Sequence, residues 1–194
     1  MKIYFLLTAI FASLLISACL KDREFPVPAS TTGPGDRNNI QAGTIVINEF
    51  EARGSQFYNE LILPGNPNGG SDWVELYNTT NDTITLKGGK WFATDSLAGP
   101  MKYTLPEVVM NPKSFLVLWC DTLDTVITQI HTNFSLSKTG EDIGLFYLQD
   151  NDTLLEVDGF TFGSQLSATS YGREPDGSTN WTYFSSPTPG ASNQ

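Results

Sequence analysis

The chain has 194 residues, of which 40% are hydrophobic and 16% charged, and its formal net charge is −10 at pH 7. This acidity repels nucleic-acid phosphates and anionic membrane surfaces, so it argues against a nucleic-acid partner. The length suits one globular domain with additional segments, and the many glycines and prolines indicate short elements joined by turns.

The first eighteen residues have the features of a targeting segment. Lys2 supplies a positive n-region, and the apolar stretch 3–16 that follows is too short to span a membrane comfortably. Residues 16–19 read Ile-Ser-Ala-Cys, and small residues before a cysteine resemble the lipobox of bacterial lipoproteins. That resemblance implies cleavage before Cys19, acylation of its thiol and amine, and a stable anchor in the outer membrane. The alternative is an ordinary secretory peptide with an accidental cysteine.

The segment after Cys19 predicts a tether. Residues 20–41 are rich in Pro, Gly, Ser, Thr and Asn and carry only scattered apolar residues. The expected organisation is a signal peptide at 1–18, the lipidated cysteine and tether at 19–42, and a globular domain at 43–194. Residues 21–24, Lys-Asp-Arg-Glu, partly resemble the lysine-plus-acidic signals that send some bacterial lipoproteins to the cell surface. Surface display and the periplasmic face of the outer membrane both stay open.

From residue 43 onward the pattern predicts short strands, and no long segment keeps a helical period. The predicted strands are 44–52, 72–78, 83–86, 91–94, 102–105, 114–120, 143–148, 153–162, 171–173 and 181–184. A glycine-rich turn, 65–70, precedes the second strand, and strands 143–148 and 153–162 predict a hairpin. Residues 114–120 form an apolar run that is typical of a strand buried on both faces or covered by loops. This spacing predicts an all-β, antiparallel sandwich or barrel.

Strand alternation predicts which residues lie in the core. In 72–78, Val74 and Leu76 share one face, whereas Trp73, Glu75 and Tyr77 share the other. Glu51 is placed at the exposed end of the first strand. Residues 187–193 cannot continue a regular strand because two prolines lack ladder donors, so they predict a closing strap along the sandwich. The predicted core members are Ile45, Ile47, Val74, Leu76, Leu116, Leu118, Leu145 and Val157.

Several motifs in this order resemble the lamin-tail domain. They are Ile45–Phe50, Asp72–Asn78, Leu86 with Gly88–Trp91, Phe134–Asp142, Asp158–Gly163, Ser170–Arg173 and Pro187–Asn193. The resemblance covers residues 44–193. It implies an immunoglobulin-like β-sandwich that serves as a protein-interaction or scaffold module, and no catalytic residues come with it.

Few residues suit catalysis. His131 is the one histidine in the chain and is predicted at the surface. Cys120 closes an apolar run and is predicted as a buried structural thiol, because no nearby base marks it as reactive. No zinc-ligand cluster or complete calcium loop is recognisable, so no metal and no cofactor is predicted.

The acidic residues of the first two strands predict a structural polar cluster. It comprises Asn48, Glu49, Asp72 and Glu75, with a divalent ion as the less favoured alternative. Arg173 is predicted to clamp a carboxylate or a run of carbonyls inside the domain, and by chemistry Glu75 is its candidate partner.

Five triplets of aspartate, hydroxyl residue and aliphatic residue resemble bacterial O-glycosylation sites. Their hydroxyl residues are Thr83, Ser96, Thr122, Thr125 and Thr153. Aspartate and threonine are also ordinary turn residues, which is the alternative interpretation.

Together these patterns predict a lipid-anchored envelope or cell-surface protein with a non-catalytic binding domain. Its expected partners are the membrane, through the anchor, and an unknown protein or glycan. The alternative function is an extracellular hydrolase or its accessory subunit.

Overall fold

The computed structural model describes residues 40–52, 70–126 and 128–193. Outside the described residues lie the predicted signal peptide, Cys19, the predicted tether up to residue 39 and most of the predicted turn at 65–70. The strands are β1 (Ile45–Glu51), β2 (Asp72–Asn78), β3 (Ile84–Leu86), β4 (Trp91–Thr94), β5 (Tyr103–Thr104), β6 (Val108–Met110), β7 (Phe115–Cys120), β8 (Thr125–Val126), β9 (Ile130–His131), β10 (Glu141–Leu148), β11 (Leu154–Phe162), β12 (Ser170–Arg173) and β13 (Trp181–Phe184). Within the described ranges, no helix is long and apolar enough to cross a membrane.

These strands form three sheets. The large sheet has the order β13-β12-β1-β2-β7-β9-β8, the small sheet has the order β11-β10-β4-β5, and β3 pairs with β6 as a separate ribbon. All pairings are antiparallel except that of β7 with β9. The predicted hairpin is confirmed as β10–β11. The protein is therefore all-β and antiparallel, with a multi-sheet arrangement consistent with the predicted sandwich.

The period-two pattern of β1 and β2 sorts their side chains between two faces. Phe50 pairs with Val74, and Ile47 pairs with Leu76, on the face that builds the apolar core. Their neighbours along β2, Trp73 and Glu75, point to the opposite face, which we call the outer face of the large sheet. All of the predicted core members are buried in the core except Leu116, which is partly buried against it.

Part of β7 differs from its prediction. Its last three residues are buried, but Phe115, Leu116 and Val117 are only half-buried. The reason is that β9 pairs with β7 only at Leu118 and Trp119. The sequence also did not predict β6, β8 and β9, because strands of two or three residues are held by their partners and show no period of their own.

Two polar residues that were predicted at the surface are buried instead. Glu51 is 0% exposed because strand pairing places it opposite Trp73, and its Oε2 accepts from Trp73 Nε1 at 3.3 Å. His131 is also 0% exposed, since β9 inserts it beside β7, and its Nδ1 lies 2.8 Å from Asp121 Oδ2. Both surface predictions were wrong.

Candidate functional site

The predicted polar cluster forms on the outer face of the large sheet, around Asn48. The register shifts between Ile47 and Glu49, so Asn48 lies at an irregularity of β1. Its Nδ2 donates to Glu75 Oε1 at 3.0 Å and to Asp176 Oδ1 at 2.9 Å, while its Oδ1 accepts from Gly177 N at 3.0 Å. The side-chain amide thus joins two carboxylates from different parts of the chain.

The strap 187–193 supplies most of the remaining donors to this cluster. Thr188 donates to Glu49 from its backbone N–H and, at 2.9 Å, from its hydroxyl. Gly190 N donates to Glu75 Oε2 at 2.6 Å. Asp176 accepts from Ser192 Oγ at 2.5 Å and from Asn193 N at 3.0 Å. The strap is therefore fastened to three carboxylates, which confirms its prediction. We call Glu49, Glu75 and Asp176 the carboxylate cluster.

Asp72 does not join the carboxylate cluster. It is an odd number of residues from Glu75 in β2, so its side chain points to the other side, where Oδ2 accepts from Leu136 N at 3.1 Å. Asp176 takes the place that Asp72 was predicted to fill. The one sequence signal for Asp176 was its turn, Pro-Asp-Gly, directly after the strand that carries Arg173.

Arg173 forms a clamp between the large sheet and the small sheet. Its Nε donates to Ile47 O at 2.7 Å, Nη1 to Ser178 O at 2.5 Å, and Nη2 to Asp158 Oδ2 at 2.9 Å. The prediction that Arg173 holds a carboxylate and carbonyls is confirmed, but the suggested partner Glu75 was wrong. Gly172 pairs with Glu49, so Arg173 faces away from the outer surface and reaches Asp158 of β11 in the small sheet.

Burial controls the electrostatics of the carboxylate cluster. It raises the pKa of Glu75 to about 8. The negative charges of Glu49 and Asp176 raise this pKa as well, whereas the hydrogen bonds from Asn48 and Gly190 lower it. Burial also raises the pKa of Glu49. In the described part of the chain, no group of three histidine, cysteine or acidic side chains is arranged to hold a metal ion. The cluster is a closed hydrogen-bonded network that holds the strap in place.

Glu75 is expected to make the protein less stable as the pH rises. Because its pKa is raised on folding, its contribution to stability is fully present below the ordinary value of 4.5 and is lost as the pH rises to about 8. We expect the free energy of unfolding to fall over this interval with a slope that approaches about 1.4 kcal/mol per pH unit, the limit for one titrating group. Urea unfolding at a series of pH values measures the change.

Glu75→Gln separates this effect from other titrating groups. The glutamine cannot ionise, so the decrease in stability with rising pH should become smaller than in the wild type. The exposed Glu156→Gln variant is the matched control and should keep the wild-type slope. Equal slopes in all three proteins would show that Glu75 does not carry the effect.

A second polar group lies at the far end of β7. Asp121 Oδ2 meets His131 Nδ1 at 2.8 Å and accepts from Ser71 Oγ at 3.4 Å. Neighbouring Cys120 is 1% exposed, as predicted, and burial raises the pKa of its thiol. Because His131 and Cys120 are both buried, neither side chain is presented to a substrate at the surface.

The predicted glycosylation residues all lie near strand ends or turns. Thr83, Thr122 and Thr153 are exposed, whereas Ser96 and Thr125 are partly buried. Their hydroxyl groups therefore differ in access to a modifying enzyme.

A groove opens at the edge of the large sheet, where β7 is half-buried. Its volume is about 500 Å³, within the usual range for binding sites. We call it the edge groove. Apolar side chains form most of its wall, and Glu107 is the one ionisable residue among those that line it in the described structure. The apolar wall comprises Val108, Leu116, Val117, Trp119, Val126 and Ile130.

No model of a known protein family matches the chain, and no curated protein matches it. The lamin-tail resemblance therefore rests on the sequence motifs alone.

Proposed function

We propose that this protein is a lipid-anchored envelope protein that displays a non-catalytic, immunoglobulin-like lamin-tail domain. The domain binds or scaffolds a protein or glycan partner at the outer membrane or cell surface. Cys19 carries the lipid, and residues 20–41 hold the domain away from the headgroups.

The residues of the edge groove and of the carboxylate cluster support a binding function rather than a catalytic one. An enzyme needs ionisable groups that converge on a pocket. In the part of the chain that the structure describes, the edge groove is lined mostly by apolar residues, and Glu107 is the one ionisable residue among them. The carboxylate cluster turns its oxygens toward the protein's own strap, with Gly190 N on Glu75 and Asn193 N on Asp176. This arrangement favours a binding module over a hydrolase.

The positions of the motifs support the lamin-tail assignment. The first two motifs coincide with the adjacent strands β1 and β2. The motif Ser170–Arg173 coincides with β12, which pairs with β1. The closing motif is the strap that bonds the outer face through Thr188 and Gly190. These four motifs thus make up one connected part of the fold.

The lipid anchor is tested by replacing Cys19 with alanine. Because the acylated residue is lost, Cys19→Ala should leave an unprocessed or soluble protein, whereas the wild type should enter the detergent-rich phase. Detergent partitioning of both proteins, expressed in a Gram-negative host, measures the difference.

Cys120→Ala is the control for this experiment, because Cys120 is buried and cannot carry the anchor. It should partition like the wild type. Equal partitioning of Cys19→Ala and the wild type would refute the anchor. Protease treatment of intact cells then distinguishes surface display from the periplasmic face.

A further inference from the structure

The edge groove contains an incomplete strand edge. β7 is paired with β2 along its whole length, from Phe115 to Cys120. On its other side, β9 pairs only with Leu118 and Trp119. Among the described residues, no strand pairs with residues 115–117 on that side. An unpaired strand edge is a template for another extended chain.

The walls of the edge groove can contact the side chains on both faces of an added strand. Leu116 and Val117 are neighbours in β7 and point to opposite faces, and both line the groove, which therefore wraps around the sheet edge. Val108 and Val126 extend the apolar surface, and Val126 is 51% exposed. A partner that adds a strand here would bury apolar surface in addition to forming backbone hydrogen bonds.

The charge of the groove indicates the chemistry of that partner. Glu107 is exposed and lines the groove, and no lysine or arginine does so among residues 40–52, 70–126 and 128–193. The net charge of the chain is −10. An added segment with lysine or arginine residues would gain from this field, and an acidic one would be repelled. A second copy of the chain would bring the same negative charge, so it is disfavoured as the occupant.

We propose that the edge groove binds an extended segment of a partner protein, with alternating apolar and basic residues, as a strand added to residues 115–117 of β7. This inference rests on the proposed binding function and specifies its site and ligand class. The backbone ladder supplies affinity, and the apolar wall with Glu107 supplies selectivity.

The probe is a capped hexapeptide of alternating valine and lysine, titrated calorimetrically into the full chain. We expect a dissociation constant of roughly 10–100 μM, because the open edge offers only a short ladder. The same peptide with glutamate in place of lysine should bind at least about tenfold more weakly. Binding should also slow amide hydrogen exchange at Phe115 and Val117, whose N–H groups face the open side of β7, and should leave Leu116, whose N–H faces β2, unchanged.

Two N-methylated isomers test the added strand itself. One is methylated on the valine nitrogens and the other on the lysine nitrogens. Only alternate N–H groups of an added strand face its neighbour, so one isomer should lose binding and the other should keep it. A non-specific electrostatic complex would treat the two isomers alike.

Matched variants locate the complex. Val126→Lys removes an apolar contact and places a repelling charge in the groove, so it should weaken binding roughly tenfold or more. Leu123→Lys is the control, because Leu123 is 50% exposed and does not line the groove. This substitution adds the same charge to the protein as Val126→Lys does. Glu107→Lys should weaken binding as well, and Glu156→Lys, also at an exposed position, should have a smaller effect.

Absence of binding, equal behaviour of the two N-methylated isomers, or equal weakening by Leu123→Lys and Val126→Lys would each overturn the inference. So would a dimer of the full chain, seen by sedimentation, that Val126→Lys dissociates, because the occupant would then be a second copy. None of these results changes the outcome of Cys19→Ala, so failure of the groove is distinguishable from failure of the anchored module.

Discussion

Replacing Trp73 with alanine is expected to lower the free energy of unfolding by roughly 3–5 kcal/mol, the usual cost of removing a buried indole. Trp73 is 0% exposed, so the surrounding residues would lose packing on all sides and leave a cavity. The change also removes the N–H that donates to Glu51 Oε2, a carboxylate that is itself buried. Both effects destabilise the folded state, and urea unfolding of the variant measures their sum.

Two further variants separate packing from hydrogen bonding at this position. Trp73→Phe keeps much of the ring but loses the donor, so its cost should be smaller, roughly 1–3 kcal/mol. Tyr183→Ala is the control, since Tyr183 is 43% exposed in the edge strand β13. A Trp73→Ala variant no less stable than Tyr183→Ala would mean that the outer face of β2 is not packed as described.

Arg173→Ala is expected to cost roughly 3–5 kcal/mol, because it leaves the partly buried Asp158 carboxylate without its cation. The Arg173 and Asp158 side chains are only 10% and 16% exposed. The variant also removes donors to Ile47 O and Ser178 O and the guanidinium that lies 4.8 Å from the centre of the Trp181 ring. One side chain thus connects the two sheets, and thermal or urea unfolding should report its loss.

Arg173→Lys should recover only part of this stability, since an ammonium group cannot reproduce the planar set of donors. Lys90→Ala is the matched control, because its ion pair with Asp150 is 3.6 Å long and more exposed. Its cost should be below about 1 kcal/mol. If Lys90→Ala and Arg173→Ala have equal effects, the clamp does not hold the sheets together.

The strands with a clear pattern were predictable from sequence. Alternation in 72–78 placed Val74 and Leu76 in the core, because successive side chains in a strand must point to opposite faces. The β10–β11 hairpin followed from two apolar runs joined by a polar turn. The strap followed from two prolines that cannot donate to a ladder. Each of these features depends on neighbours in the chain, so the sequence contains the information.

The polar partners were less predictable, since hydrogen bonds between distant residues depend on register. Arg173 was expected to hold a carboxylate, but its partner is Asp158, because strand pairing turns Arg173 away from Glu75. Asp176 joined the carboxylate cluster although Asp72 had been expected there. The burial of Glu51 and His131 likewise depends on the strands that lie opposite them.

The sequence by itself determined the all-β class, the positions of the main strands and most of the core, because local period and turn residues are sufficient for these. Only the tertiary structure decided that β9 covers just part of β7 and so leaves the edge groove open. A strand edge is open or closed according to which segment lies beside it. That depends on contacts between residues far apart in the chain, which no local pattern of side chains records.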